Sequence, residues 1–156
     1  MFFNTLTGLR PDEAQKALHL IKTKDKEYID RDNGMLKHYQ FPDTFLRQTK
    51  KAYVSVINED ILKAAKQTPY MERYYNGLRK RLNNQDLKMN LYYCRKVFAT
   101  YQRNKGIEPE IIDLLQGRIS GSVFVNHYYR PDIKKMIASK IKPVLNSLSK
   151  IIESVG

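Results

Sequence analysis

Residues 91–130, LYYCRKVFATYQRNKGIEPEIIDLLQGRISGSVFVNHYYR, constrain this chain more than any other stretch. Leu91, Cys94, Phe98 and Tyr101 recur at three- and four-residue spacing, the period of one helix face. Gly106 stops that helix in the left-handed position that commonly ends one. Pro109 starts a second helix, whose apolar side is Ile111, Ile112, Leu114 and Leu115, and Gly117 closes it. The stretch ends on Tyr128 and Tyr129 between His127 and Arg130. Tyr92, Arg95, Arg118 and Tyr128 therefore fall near helix ends or in turns, where polar groups can converge on a ligand.

Elsewhere the same reasoning predicts more helix. Residues 2–6 are an apolar opening that runs into Thr7-Gly8-Leu9-Arg10. Pro11, Asp12 and Glu13 mark a helix start, with acids at the positive end of the dipole. Ala14, Ala17, Leu18 and Ile21 follow as its buried stripe. Glu13 stands three residues after Arg10, a spacing that lets its carboxylate orient the guanidinium. Residues 22–27 read as a charged loop. Strand signals fill the window after it, at 28–30, 35–41 and 52–57, with Asp32-Asn33-Gly34 as a hairpin turn. In the last of these Val54 and Val56 face one way and Tyr53, Ser55 and Ile57 the other. Lys50 and Lys51 sit in the turn before it. Asn58 caps a helix to about Gln67, Pro69 breaks it, and 70–82 form another with arginines on its outer side. A last helix follows Pro131, and Pro143 is expected to kink or end it.

The chain holds 28 lysines and arginines against 16 acids, a net charge of +12, which favours a polyanionic partner and salt-dependent binding. One cysteine excludes an intramolecular disulfide framework. No Cys/His metal spacing, phosphate-cradling glycine loop or Ser-His-Asp set is present. No apolar run approaches the length of a membrane span and no signal peptide is evident, so no membrane partner is expected and an intracellular location is.

Tyr92-Tyr93-Cys94-Arg95, Phe98-Ala99-Thr100, Leu114-Leu115-Gln116-Gly117-Arg118 and Tyr128, in that order, resemble the second signature box of the tyrosine recombinases. The wording is most similar to that of archaeal virus and plasmid integrases. Thr7-Gly8-Leu9-Arg10 with Glu13 resembles the first box. The resemblance covers about residues 5–130. It implies a mostly helical α+β fold, the tyrosine recombinase/type IB topoisomerase-like catalytic domain with a small three-stranded antiparallel sheet. It implies an enzyme that cleaves and rejoins DNA through a 3′-phosphotyrosyl intermediate without ATP, integrating or excising a viral or plasmid genome. The catalytic set it implies is Arg10, Lys51, Tyr92, Arg95, Arg118 and Tyr128. Lys50 is the alternative to Lys51, and Tyr129 the alternative to Tyr128.

The chemistry asks for such residues. A pentacoordinate phosphorane gathers negative charge that arginine forks hold bidentately, and a lysine can protonate the leaving 5′ oxygen. With protein cations there, no cofactor or metal is expected. Two departures stand out. Tyr92 occupies the usual histidine position, and an ordinary phenol is a poor base at neutral pH. The interval from Arg118 to Tyr128 is one residue longer than usual; the usual interval falls on His127.

Expected partners are double-stranded DNA attachment sites and further copies of the chain on DNA, as a synaptic tetramer. The expected division is a catalytic domain at 1–130 and a helical tail at 131–156, with the family's N-terminal core-binding domain absent. The tail beyond Pro143 is expected to lie loose or to reach a neighbouring subunit. Two other readings remain: a type IB topoisomerase-like relaxing enzyme, and a non-catalytic helix-turn-helix DNA-binding module.

Overall fold

The computed structural model of the chain describes residues 1–47, 50–68, 77, 80, 83–85, 90–118 and 132–155. Apart from Gly77 and Lys80, the helix expected at 70–82 lies outside the described residues, as do the tyrosines Tyr128 and Tyr129. Within them the protein is mostly helical, with a small three-stranded antiparallel sheet, as the α+β expectation required.

The apolar opening is a short helix, α1 (Phe2–Thr7), whose Phe3 and Leu6 enter the core. Gly8 ends it, and α2 (Pro11–Thr23) begins three residues later with proline in its first turn. Ala14, Ala17 and Ile21 are buried as the stripe predicts, and Leu18 is half-buried. The charged 22–27 segment is not a loop. α2 continues through Thr23, and Asp25–Tyr28 forms one further helical turn, α3. Tyr28 thus leaves the sheet for the core, where its ring packs edge-on to Phe41 and stacks on Phe45.

β1 (Ile29–Asp30), β2 (Met35–Lys37) and β5 (Val54–Val56) make the sheet in the order β1-β2-β5, all antiparallel. Leu36 pairs with Ile29 on one side and with Ser55 on the other. The expected 35–41 strand stops at Lys37, because His38–Gln40 curl into a 3-10 turn and Pro42–Phe45 into a helical turn, α4. Between these and β5 stands a second, two-stranded ribbon, β3 (Leu46–Arg47) with β4 (Lys50–Lys51). Lys51 is therefore at the end of a strand rather than in a turn. Val54, Ser55 and Val56 are all buried, so both faces of β5 are covered rather than one. Ser55 is tolerated inside because its hydroxyl meets His38 Nε2 at 2.8 Å.

α5 (Glu59–Gln67) starts on Asn58, whose Oδ1 accepts from the Ile61 amide at 2.9 Å, the cap the sequence predicts. α6 (Leu91–Asn104) and α7 (Pro109–Leu115) form with the expected bounds, and Asn90 caps the former. The C-terminal helix runs from α8 (Ile133–Met136) through a π turn (Ile137–Ile141) into α9 (Lys142–Val155). Pro143 neither ends it nor frees its far half. The proline sits in the first turn of α9, and the wider π turn just upstream accommodates the amide donor it lacks.

Nor does the segment beyond Pro143 lie loose. Ile137, Ile141, Leu145 and Leu148 belong to the same buried cluster as Phe3, Leu6 and Phe98. Asn146 Oδ1 accepts from Asn58 Nδ2 at 2.9 Å, and Ser147 Oγ accepts from the Tyr101 hydroxyl at 2.9 Å. Ser149 Oγ donates to Asp60 at 3.2 Å. Its apolar face closes the core of its own domain. No helix among the described residues is long and apolar enough to cross a membrane.

Candidate functional site

Two helix stops, Gly8 after α1 and Gly117 after α7, hold the candidate site together. Both have positive φ, 65° and 62°. A Cβ on Gly8 would stand 2.6 Å from the Phe98 ring, and one on Gly117 would stand 2.5 Å from the Ala52 amide nitrogen. Only glycine allows both the left-handed backbone and the close approach. The consequence lies in the carbonyls that this geometry turns inward.

Arg95, buried one turn into α6, donates from Nη1 to the Gly8 carbonyl at 2.7 Å and from Nη2 to the Gln116 carbonyl at 3.0 Å. Gln116 returns a bond from its side-chain amide to the Arg95 carbonyl at 2.8 Å. One guanidinium thus joins the turn before α2 to the turn after α7. The next carbonyl, that of Gly117, accepts from Arg10 Nη2 at 3.4 Å and from the Lys51 amide at 3.2 Å. Arg10, Arg95 and the strand bearing Lys51 therefore meet at two successive peptide groups.

Arg10 is fixed from its own helix as well. Its backbone amide donates to Glu13 Oε2 at 3.0 Å and its Nη1 to Oε1 at 2.8 Å. Glu13 is buried, and the Arg10 side chain keeps 14% of its surface open to solvent. This is the i,i+3 pairing expected from the sequence. Arg118 follows Gly117 directly; its amide donates to the Asp113 carbonyl at 2.8 Å, and its guanidinium, largely exposed, pairs with the Asp113 carboxylate at 3.4 Å.

These cations sense one another. Burial pulls Arg95 down to about 10, the Arg10 charge adds to that, Glu13 opposes it, and Arg118 lowers it further. Arg95 stays protonated at neutral pH, in surroundings that an arriving anion would improve. Among the described residues neither Arg95 nor Lys51 has a hydrogen-bonded carboxylate partner; the bonds of Arg95 go to carbonyls, which satisfy donors without cancelling charge. A guanidinium carries five N–H groups, and these two bonds of Arg95 use one from each terminal nitrogen.

Tyr92 lies in the first turn of α6, one helical turn before Arg95, and is 60% exposed; its amide donates to Asn90 Oδ1 at 3.1 Å. Lys51 is exposed on the ribbon edge. Of the six candidates, Arg10, Arg95, Arg118 and the Lys51 backbone are thus brought to one turn, and Tyr92 to its rim. Tyr128 lies outside the described residues, as do Tyr129 and His127, and of Lys50 only the backbone is described. No set of three or more metal-ligating side chains gathers among the described residues.

Sequence reasoning missed four contributors. The Gly8 and Gly117 carbonyls and the Gln116 amide organise the arginines, and the available signal was a glycine next or next-but-one to an arginine in both motifs. Asp113 was also missed, although it stands five residues before Arg118. No family model matches the chain, and comparison with curated proteins and with solved structures returns no match. The class that fold and site define is a small α+β domain in which arginines distant in sequence gather at one turn.

Proposed function

We propose that this chain is the catalytic domain of a tyrosine recombinase-like DNA strand transferase, acting at viral or plasmid attachment sites and assembling as paired subunits on DNA. The observation that carries the reading is the meeting of Arg10 and Arg95, 85 positions apart in sequence, on the adjacent carbonyls of Gln116 and Gly117, with the Lys51 strand on the second. A mostly helical domain with a small sheet beside the site accords with the fold such enzymes use.

In this reading a DNA phosphodiester binds against Arg10 and Arg95, with Arg118 as a third donor. The Tyr128 hydroxyl releases its proton to solvent as its oxygen forms a bond to phosphorus. The bond from phosphorus to the 5′ oxygen breaks, and Lys51 gives that oxygen its proton. The products are a 3′-phosphotyrosyl link and a free 5′-hydroxyl, and attack by a second 5′-hydroxyl reverses the step. Charge developing on the non-bridging oxygens is held by guanidinium donors already oriented in the unbound protein, which is where rate acceleration comes from. Tyr92, at the rim, serves as a hydrogen-bond donor to the phosphate rather than as a base.

The test is a nicked DNA substrate that traps the covalent intermediate. The wild-type chain is expected to give a protein–DNA band that resists denaturant, and Tyr128→Phe to bind DNA without forming it. If Tyr129→Phe is the inactive variant instead, the nucleophile is Tyr129. Arg10→Ala is expected to slow band formation by about a hundredfold, the scale of losing one charge-stabilising donor. DNA binding with no covalent band in any variant would identify a non-catalytic module.

A further inference from the structure

Among the described residues six large hydrophobic side chains stay exposed, and four of them are tyrosines: Tyr39, Tyr53, Tyr92 and Tyr93. Three of them stand close in sequence to Arg95 or Lys51, and the fourth is bonded through its backbone to one of the three. Tyr92 and Tyr93 open the helix that carries Arg95. Tyr53 lies two residues after Lys51, and the Tyr39 amide donates to the Tyr53 carbonyl at 3.1 Å. Solvent exposure alternates along 51–54, with Lys51 and Tyr53 outward and Ala52 and Val54 inward. An extended chain with Ala52 pressed on Gly117 therefore sets the lysine and the tyrosine on one side, about 7 Å apart along the strand.

Exposed aromatics scattered singly over a surface need no explanation, but tyrosines that stand so close in sequence to cationic residues do. A phosphate held between Lys51 and the arginines would bring its own sugar and base within reach of Tyr53 and Tyr39. In a paired duplex the faces of that base are already stacked on neighbours. A ring can use its face only where a nucleotide is unpaired, and there base–aromatic stacking is strong and tolerant of sequence.

We propose that Tyr39 and Tyr53 form a stacking platform for an unpaired nucleotide next to the phosphate bound at Arg10 and Arg95, so that the preferred DNA carries a bulge, flap or melted step rather than an unbroken duplex. This rests on the DNA strand-transfer reading above and adds the structural class of substrate to it. The charge of the site supplies affinity for any DNA, and the tyrosine pair supplies the preference among DNAs. Lysine and arginine contacts are lost with salt, whereas the stacking preference is not.

The experiment compares binding of the full chain to two fluorescein-labelled duplexes of equal length, one fully paired and one with an internal thymine bulge. The wild type is expected to favour the bulged duplex by about tenfold, the scale of one base–aromatic stack, at both low and moderate salt. The double variant Y39A/Y53A is expected to bind both duplexes alike, and Y39F/Y53F to keep the preference, since the ring and not the hydroxyl stacks. A 2-aminopurine placed in the bulge should lose fluorescence on binding to wild type and to Y39F/Y53F but not to Y39A/Y53A. Equal wild-type affinity for the two duplexes, with Arg10→Ala still weakening both, overturns the platform and leaves the strand-transfer reading standing. Loss of preference in Y39F/Y53F as complete as in Y39A/Y53A also overturns it, since the hydroxyls would then be the contacts. Wild-type affinity for DNA that Arg10→Ala and Arg95→Ala leave unchanged removes the strand-transfer reading and the platform together.

Discussion

Lowering the pH from neutrality should destabilise this protein through one side chain, His38. The imidazole is fully buried in the 3-10 turn after β2. Its Nδ1 meets the Tyr28 hydroxyl at 2.6 Å, its Nε2 meets Ser55 Oγ at 2.8 Å, and its ring lies 4.1 Å from that of Phe45. Burial pulls His38 from 6.5 to about 3, so it is neutral in the folded state at every pH of interest. Glu13 is the charged group near enough to influence the same network, through Tyr28, whose phenol burial pushes up. The unfolded chain takes up the proton near pH 6.5, long before the folded one does. The stability due to neutral His38 is therefore complete above that pH and is lost as pH falls through the window from 6.5 to 3. The two values put the loss at about 2 kcal/mol by pH 5 and about 5 kcal/mol once both states are protonated. That is a large share of the ~5–15 kcal/mol available to a domain. Urea denaturation of wild type and His38→Gln, repeated at half-unit steps from pH 7 to 4.5, isolates the contribution. The variant is less stable at pH 7, but the difference between the two proteins should shrink as pH falls, by about 2 kcal/mol at pH 5. Parallel curves over that interval would falsify the argument, because every other titrating group is common to both proteins.

Gly117→Ala should cost about 1–3 kcal/mol, from left-handed backbone strain and the contact with Ala52; it should also reduce covalent adduct formation, because the Lys51 strand must shift away from Arg10. Thermal melting and the nicked-substrate assay read the two effects separately. Lys51→Ala should cleave an ordinary substrate slowly and recover on one whose 5′ leaving atom is sulfur, which departs without a proton; recovery in Lys50→Ala alone would move the role to Lys50. Deleting 144–156 should unfold the domain rather than merely uncouple subunits, since Leu145 and Leu148 are core residues; loss of the cooperative melting transition is the expected result, and a folded, cleaving deletion would contradict it.

Much of the architecture was legible in the sequence where a residue type has one local meaning. Asn58 as a cap, Pro11 and Pro109 as helix openings, and Gly106 and Gly117 as stops all act through their own backbone, and those boundaries hold. The strand expected at 35–41 fails at His38 because its alternation of apolar and polar residues fits a strand until the imidazole is paired. Its partners, Tyr28 and Ser55, stand ten residues before and seventeen after it. Ser55 reads as an outward residue for the same reason: only the histidine opposite makes burial acceptable. The tail misled in another way. Pro143 interrupts an apolar face that looks detachable, yet a π turn lets that face run on unbroken against α1 and α6. In the site, Arg10, Lys51, Arg95 and Arg118 could be named from motif order, but the carbonyls of Gly8, Gln116 and Gly117 could not. Backbone acceptors have no letter of their own, and only the fold brings them to a guanidinium.

The use of carbonyls there is what gives the site its chemical character. A buried guanidinium needs partners for its donors, and a carboxylate would have supplied them together with a cancelling charge. Arg10 has such a carboxylate in Glu13, and as a pair they contribute orientation more than field. Among the described residues Arg95 is hydrogen-bonded only to carbonyl dipoles, so its charge persists in a place where water cannot screen it well. Folding bears the cost of holding it there, through two left-handed glycines and a guanidinium drawn down to about 10 by burial. An anion that arrives at this turn meets donors already aimed and a charge already desolvated. For a reaction whose transition state gathers negative charge on phosphoryl oxygens, that is the arrangement in which binding grows stronger as the reaction proceeds.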